Sequence, residues 1–224
     1  MFDSIARRYD TLNHLLSAGL DKRWRARAVR ELRLTGREQA LDVCTGTGDL
    51  GLALLGADAQ GARRVVGVDF SHEMLKVGLA KVRTSPYAGR FHIARGDATN
   101  LPLPGAMFDA AAIGFGIRNV QQPGAALREI ARVLKPGGRL AILEFGFPKI
   151  PGITRLYKWY FRAVLPRVGR AISKHGKAYS YLPASVERFP TPEAFADEMR
   201  AAGFRDVRAV PLSVGIVYLY IAEL

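Results

Sequence analysis

The sequence predicts an α/β fold: a central, mostly parallel sheet of seven strands covered by helices on both faces and finished by an antiparallel C-terminal hairpin. Three observations carry this. Short apolar runs alternate with helically periodic segments along the first two-thirds of the chain. The first of those runs ends in a glycine-rich turn, and two final apolar runs stand close enough in sequence to pair antiparallel.

The elements follow in order. Phe2, Ile5, Tyr9, Leu12 and Leu16 recur at helical spacing, and Trp24, Ala28 and Leu32 do so after a break at Gly19, which predicts two lead-in helices. Ala40–Cys44 is a short apolar run ending at Thr45-Gly46-Thr47-Gly48-Asp49, and Asp49–Ala57 then reads as a helix. Val65–Asp69 repeats the pattern, a buried strand ending in an acid, followed by a helix from Ser71 with Met74, Leu75, Val77 and Ala80 inward. Further β-like runs stand at Phe91–Arg95, Phe108–Phe115 and Leu140–Phe145, with a helix over Gly124–Leu134 stopped by Lys135-Pro136-Gly137-Gly138. Residues 148–182 carry eight Lys and Arg and no acid among Tyr, Trp and Phe, and they precede a helix at Pro192–Ala202. The runs Asp206–Pro211 and Ile216–Ala222 make the hairpin.

With 224 residues, 49% of them apolar, the length suits one large domain or two small ones with a sizeable core, and the composition is that of a folded chain. Its 33 Lys and Arg against 20 Asp and Glu give a net charge of +13, a surface that attracts phosphates, an anionic membrane face or an acidic substrate. Cys44, the single cysteine, excludes an internal disulfide and a cysteine-based metal site. No other spacing of His, Asp and Glu suggests a metal. The opening MFDSIARRYD lacks the apolar core of a signal peptide. The longest charge-free run, Ala209–Ala222, is broken by Pro211 and Gly215 and falls short of the ~20 residues that span a bilayer.

Gly46-Thr47-Gly48-Asp49-Leu50-Gly51 matches G-x-G-x-x-G, and Asp69 lies 23 residues after Gly46. This pattern serves both NAD and S-adenosylmethionine (SAM): glycines let the main chain approach a ligand, and an acid at the end of the second strand binds both ribose hydroxyls. Three features favour SAM. Asp42 stands just before the turn, where a carboxylate organises the loop or attracts an ammonium but repels a pyrophosphate. Gly96-Asp97-Ala98 ends a third strand where an adenine amine must be held. The terminal hairpin is absent from the usual dinucleotide sheet.

Asp42–Gly48, Val68-Asp69, Gly96-Asp97-Ala98, Phe108-Asp109 and Leu134–Gly138 resemble the successive motifs of Rossmann-like class I SAM-dependent methyltransferases. More narrowly, Phe2–Ala6 with Arg8-Tyr9-Asp10, Gly114–Val120 and Tyr179–Val186 resemble the ubiquinone/menaquinone biosynthesis C-methyltransferases, and the resemblance covers essentially the whole chain. Arg7 stands where that family often has Pro. The resemblance implies methylation of a ring carbon of a prenylated quinol, most directly demethylmenaquinol to menaquinol or its ubiquinone-pathway equivalent. It implies SAM contacts at Gly46, Thr47, Gly48, Asp69, Asp97 and Ala98, with Gly114 where some members use Ser. It also implies one methyltransferase domain over 1–224, with an N-terminal helical lid (1–36) and a basic amphipathic helical insertion (148–190).

A sulfonium methyl is already a good electrophile, so alignment and exclusion of water are the main tasks. The acceptor needs more: a phenol-like hydroxyl has a pKa of ~10, and full stabilisation of its anion at pH 7 is worth roughly 4 kcal/mol. A guanidinium supplies charge and several donors. Arg118 follows the fourth strand, at the carboxyl edge where open α/β sheets bind ligands, and is the candidate stabiliser of the quinol oxyanion, with Asn119 positioning it. The competing reading is a structural Arg118 that caps a helix or pairs with Asp109. Tyr179 and Tyr181 are candidate quinol-pocket residues, and Glu144, ending the fifth strand, is another candidate base.

On a helix from Ile153, residues Ile153, Tyr157, Tyr160, Val164 and Val168 share one side, and Arg155, Lys158 and Arg162 the other. That arrangement suits the face of an anionic membrane, and it predicts a cytoplasmic protein transiently bound to the inner face, without nucleic acid and with no metal; a homodimer stays open. Two rival readings remain at this point, a methyltransferase for a soluble small acceptor and a basic RNA-binding or RNA-modifying protein.

Overall fold

Alternation of side chains along each strand decides how the chain is layered. The computed structural model describes residues 17, 19–57, 60–148, 150, 152, 154–155 and 177–224. In order it forms α1 (Leu20–Glu31), β1 (Gln39–Val43), α2 (Asp49–Leu55), β2 (Arg64–Asp69), α3 (His72–Arg83), β3 (Phe91–Arg95), β4 (Phe108–Gly114), α4 (Pro123–Val133), β5 (Leu134–Phe145), α5 (Lys177–Arg188), α6 (Pro192–Ala201), β6 (Arg205–Leu212) and β7 (Val217–Glu223). One-turn 3-10 helices stand at Ile117–Asn119 and Ser213–Gly215. The seven strands make one sheet in the order β3-β2-β1-β4-β5-β7-β6, parallel except for β7, which runs antiparallel to both β5 and β6.

On β4, Ala111 and Ile113 join one apolar cluster with Leu127 and Ile130 of α4 and Phe195 and Met199 of α6. Ala110 and Ala112 face the other way, into a cluster with Trp24 and Ala28 of α1, Leu32 at its C-cap, and Leu50 and Leu54 of α2. The same period of two splits Leu140 and Ile142 from Ala141 and Leu143 on β5, and Tyr218 and Tyr220 from Val217 and Leu219 on β7. Both faces of these strands are therefore buried, which is why they read as continuous apolar runs.

Strand order reverses between β1 and β4: from β1 the chain proceeds outward to β2 and β3, then returns to β4 on the other side. This switch point opens a crevice at the carboxyl ends of the strands, and the glycine turn leads into it. The third glycine of that turn, Gly51, is needed for packing: a Cβ there would lie 2.2 Å from Cζ of Phe91.

Most predicted elements form with ends shifted by a residue or two. Ser71 caps α3, its side chain accepting from the Met74 N–H. The inward face of α3 is Met74, Leu75, Gly78 and Val82; Ala80, expected inward, is exposed, because α3 lies across β2 and β3 and turns that position to solvent. Lys135–Gly138 ends α4 but belongs to the start of β5, where the pairing with β4 jumps from Phe108↔Leu134 to Ala110↔Arg139. The bulge absorbs the proline and two glycines without breaking the strand. The first lead-in helix and the amphipathic segment from Ile153 to Val168 lie outside the described residues, apart from Ser17, Thr154 and Arg155. Among the described residues no helix is long and apolar enough to cross a membrane.

Gly51→Ala should destabilise the fold by about 1–3 kcal/mol in denaturant unfolding, and Phe91→Leu should recover part of that loss in the double variant. Equal stability of parent and Gly51→Ala would show that the Phe91 ring yields freely.

Candidate active site

The site is built on a buried carboxylate. Asp42, near the end of β1, accepts at Oδ2 from the Thr45 hydroxyl at 2.5 Å and from the Gly51 N–H at 2.9 Å, so one oxygen ties both ends of the glycine turn. Burial pushes its pKa up to about 7, and the nearby Asp69 charge adds to the rise. Its Oδ1 is buried with no hydrogen-bond partner among the described residues. An orphaned acceptor beneath a glycine turn suits an ammonium group or a bridging water and opposes a pyrophosphate.

Asp69 ends β2 and accepts from the Gly46 N–H through Oδ2 and the Ser71 N–H through Oδ1, both at 2.8 Å. These bonds aim the carboxylate into the crevice, and with roughly four lone-pair positions it retains acceptor capacity for a diol. Asp97 follows β3; Thr99 donates to its Oδ1 through both N–H and hydroxyl at 2.8 Å, and these bonds hold its pKa below the usual carboxylate value. Gly46, Asp69, Asp97, Ala98 and Gly114 together line a cavity of about 460 Å³, a size suited to a nucleoside-type cofactor.

Thr47 and Gly48 stand outside that lining. Gly48 caps α2 in the left-handed conformation, φ 83°, and the Thr47 hydroxyl receives Lys81 Nζ at 3.3 Å. Lys81 also pairs with Asp49 at 2.6 Å, whose other oxygen takes Arg25 Nη2 at 2.9 Å; Arg25 in turn pairs with Asp21 at 2.6 Å. Ion pairs thus fix the back of the turn to α1 and α3.

A cavity residue, Phe70, escapes the sequence motifs. Phe70, directly after Asp69, is 70% exposed, with Arg95 Cζ 5.5 Å from its ring centroid. An aromatic ring left in water at a cavity rim offers a stacking face to a flat base. Its position next to the strand-end acid is the signal that could have found it. Cys44 and Phe115 also line the cavity, both at positive φ (55° and 60°), so the crevice wall is made of strained main chain. Burial, with Asp69 and other carboxylates nearby, pushes the Cys44 thiol up, so it stays protonated.

Asn119 lines the cavity with Gln121 and Gln122, whereas Arg118 sits behind it, its side chain only 5% exposed. Arg118 Nη1 donates to Glu144 Oε1 at 2.7 Å and to the Phe115 carbonyl, and its N–H donates to Glu144 Oε2 at 3.2 Å. Glu144 is fully buried and also accepts from the Phe145 N–H at 2.8 Å. The Arg118 guanidinium lies 5.3 Å from the Phe145 ring centroid, and Phe145 packs on Phe115 at 4.6 Å and Phe115 on Trp24 at 6.0 Å. Arg118 therefore pairs with Glu144, while Asp109 takes Lys135 at 2.5 Å and the Gln39 N–H. The Tyr181 hydroxyl donates to Asn119 Oδ1 at 3.0 Å, which brings α5 to the cavity mouth. Tyr179 lies in the same helix, and its side chain is outside the described residues. Among the described residues no group of His, Cys, Asp and Glu could hold a metal ion.

A family model described as the ubiE/COQ5 methyltransferase family matches residues 1–223. The chain is 51% identical over 220 residues to a ubiquinone/menaquinone biosynthesis C-methyltransferase UbiE of Syntrophotalea carbinolica, covering 98% of this chain and 91% of that one. It is 46% identical over 223 residues to a demethylmenaquinone methyltransferase of Thermus thermophilus, covering 100% and 99%. In fold it resembles a SAM-dependent methyltransferase of Aquifex aeolicus, TM-score 0.61 at 20% identity, over 89% of this chain and 87% of that one.

The raised Asp42 pKa fixes a pH dependence. The folded protein holds this proton between 3.8 and about 7, where the unfolded chain has released it, so the group's stabilising contribution is complete at low pH and is lost as pH rises through that window. Subtracting the unfolding free energy of Asp42→Asn from that of the parent should give a difference that falls from pH 4 to 7 and is flat above. A pH-independent difference would place Asp42 at an ordinary pKa.

Proposed function

The chain belongs to the ubiE/COQ5 methyltransferase family, and from this we infer that it uses SAM to methylate a ring carbon of a prenylated quinol, converting demethylmenaquinol to menaquinol or acting on the ubiquinone-pathway equivalent. The observation that supports this reading is one cavity at the switch point of the sheet, with strand-end acids on one wall and Asn119, backed by Arg118, on the other.

SAM supplies an electrophilic methyl group. The chain's own residues divide the remaining work. Asp69 binds the ribose hydroxyls, Asp97 and Ala98 hold the adenine edge, Phe70 covers its face, and Gly46 and Gly114 admit the cofactor close to the main chain. Asp42 stands beneath the turn as counter-charge for the ammonium. Arg118, which stands behind Asn119 and not in the lining, supplies positive charge to the quinol oxyanion through a water that carries the proton away, and Asn119, fixed between the Phe115 turn and Tyr181, orients the ring. Because Glu144 holds the guanidinium, Arg118 acts as a directed set of donors in a dry site, where directed donors count for more than in water. The phenolic proton leaves by water; after the ring carbon has taken the methyl group from sulfur, the proton on that carbon is lost to water and the oxygen is reprotonated, which restores the aromatic quinol and releases one proton in all. Tyr179 and Tyr181 border the quinol on α5, and a reversible stay at the anionic inner face of a membrane brings the enzyme to its water-insoluble substrate.

Incubation with SAM and demethylmenaquinol in detergent should give, by mass spectrometry, a product heavier by one methylene; no product from any prenylated quinol would overturn the reading. Asp69→Ala should weaken SAM binding by about 2–3 kcal/mol in calorimetry. Arg118→Lys should lower kcat on the order of 100-fold with SAM affinity within about twofold, and Glu144→Gln should follow in the same direction by about tenfold. Unchanged turnover in both variants would leave the buried pair a packing feature.

A further inference from the structure

A second hollow, of about 700 Å³, lies between α1 and the α2 region, away from the cofactor cavity. Ala26, Val29, Leu34, Ala53 and Ala57 supply the apolar part of its lining beside the polar Arg25, Asp49 and Gln60, and Lys22, Arg30 and Arg33 stand exposed around them. Those three cations form no ion pair among the described residues, although α1 pairs Arg27 with Glu31 at 2.7 Å on another side. Asp49, the carboxylate in the lining, is already taken by Arg25 and Lys81. Arg33 carries its charge there from a main chain at φ 49°, in the left-handed region that non-glycine residues rarely adopt.

We propose that this hollow is the surface by which the protein docks on an anionic phospholipid membrane. Lys22 and Arg30, both on α1, are eight positions apart, roughly 12 Å along the helix axis, more than one phosphate group spans, so an array of headgroups fits the cations better than a single free anion. The apolar lining receives the upper part of an acyl chain, a role that a merely solvated basic face has no use for. Among the described residues no aromatic side chain lines the hollow, so they offer no stacking platform for single-stranded nucleic acid. The proposal rests on the quinol reading, since a prenylated substrate gives the enzyme its reason to visit a bilayer, and it names the surface that makes the visit.

Co-sedimentation at low salt with vesicles of phosphatidylglycerol and phosphatidylcholine, against pure phosphatidylcholine, tests it. The parent should bind the anionic vesicles alone. Changing Lys22, Arg30 and Arg33 together to Gln should reduce partitioning by about thirtyfold or more, and changing Arg64, Arg83 and Arg128 together to Gln, an equal loss of charge elsewhere, by no more than about threefold. Equal losses in the two triple variants would mean that diffuse net charge binds the membrane and would overturn the proposal. So would absence of vesicle binding by the parent, saturable binding of inorganic phosphate alone, or preference for single-stranded RNA at this hollow. Should the triple variant fail to fold by circular dichroism, Arg33→Gln alone, compared with Arg83→Gln, carries the same comparison at about fivefold against no change. Turnover on detergent-solubilised quinol is measured in parallel: it stays at the parent rate in the hollow variant, and its absence in the parent would sink the quinol reading while leaving the vesicle result to judge the docking surface.

Discussion

The carboxylate of Asp42 is the constraint on which the rest of the site depends. A single buried oxygen holds a hydroxyl at the start of the glycine turn and a main-chain N–H inside the helix that follows. Because the turn cannot drift, Gly46 presents its N–H to Asp69, and Asp69 in turn fixes the start of α3 through Ser71. Strand, turn and two helices are thereby registered to one another by carboxylates whose remaining acceptor capacity faces a ligand. Burying such a group is costly, and the cost is visible in its raised pKa. A core optimised for stability alone would place an apolar residue at this position.

The opposite wall uses a comparable device with opposite charges. Arg118 and Glu144 are buried together, and such a pair is often no more stable than two apolar side chains of the same volume. What the pair does provide is direction: it engages both the main chain and the side chain of one residue in a one-turn helix and thus settles where the next residue, Asn119, points. Trp24, Phe115 and Phe145 press on the same turn from the other face of the sheet, so the main chain at Phe115 keeps its positive φ. The cavity is rigid on both sides for different reasons, hydrogen bonds to a carboxylate on one and a packed ion pair on the other.

Much of this was legible in the sequence because it is local. The glycine turn, the strand-end acids Asp69 and Asp97 and the terminal hairpin are short patterns whose residues are neighbours in the chain, and they fold where their spacing places them. Contacts across long separations were not legible. Glu144 lies 26 positions from Arg118 and Tyr181 lies 62 from Asn119, and no periodicity links them. The sequence suggested Asp109 as a partner for Arg118 on proximity, yet β4 directs that side chain to Lys135. Ala80 misled for a related reason: helical spacing gives a stripe but not its width, and Ala80 falls outside the buried face of α3.

The antiparallel strand β7 lies inside the sheet, between β5 and β6, with Val217 through Ala222 all buried. It is also the last of the seven strands to leave the ribosome. Until it emerges, β5 presents an open row of main-chain donors and acceptors, and Leu143 and Ile142 have no cover on that side. The cofactor half can assemble during synthesis, but the sheet cannot close until translation has passed residue 223. Nascent chains of this protein therefore carry an unpaired strand edge until the distal segment has been made.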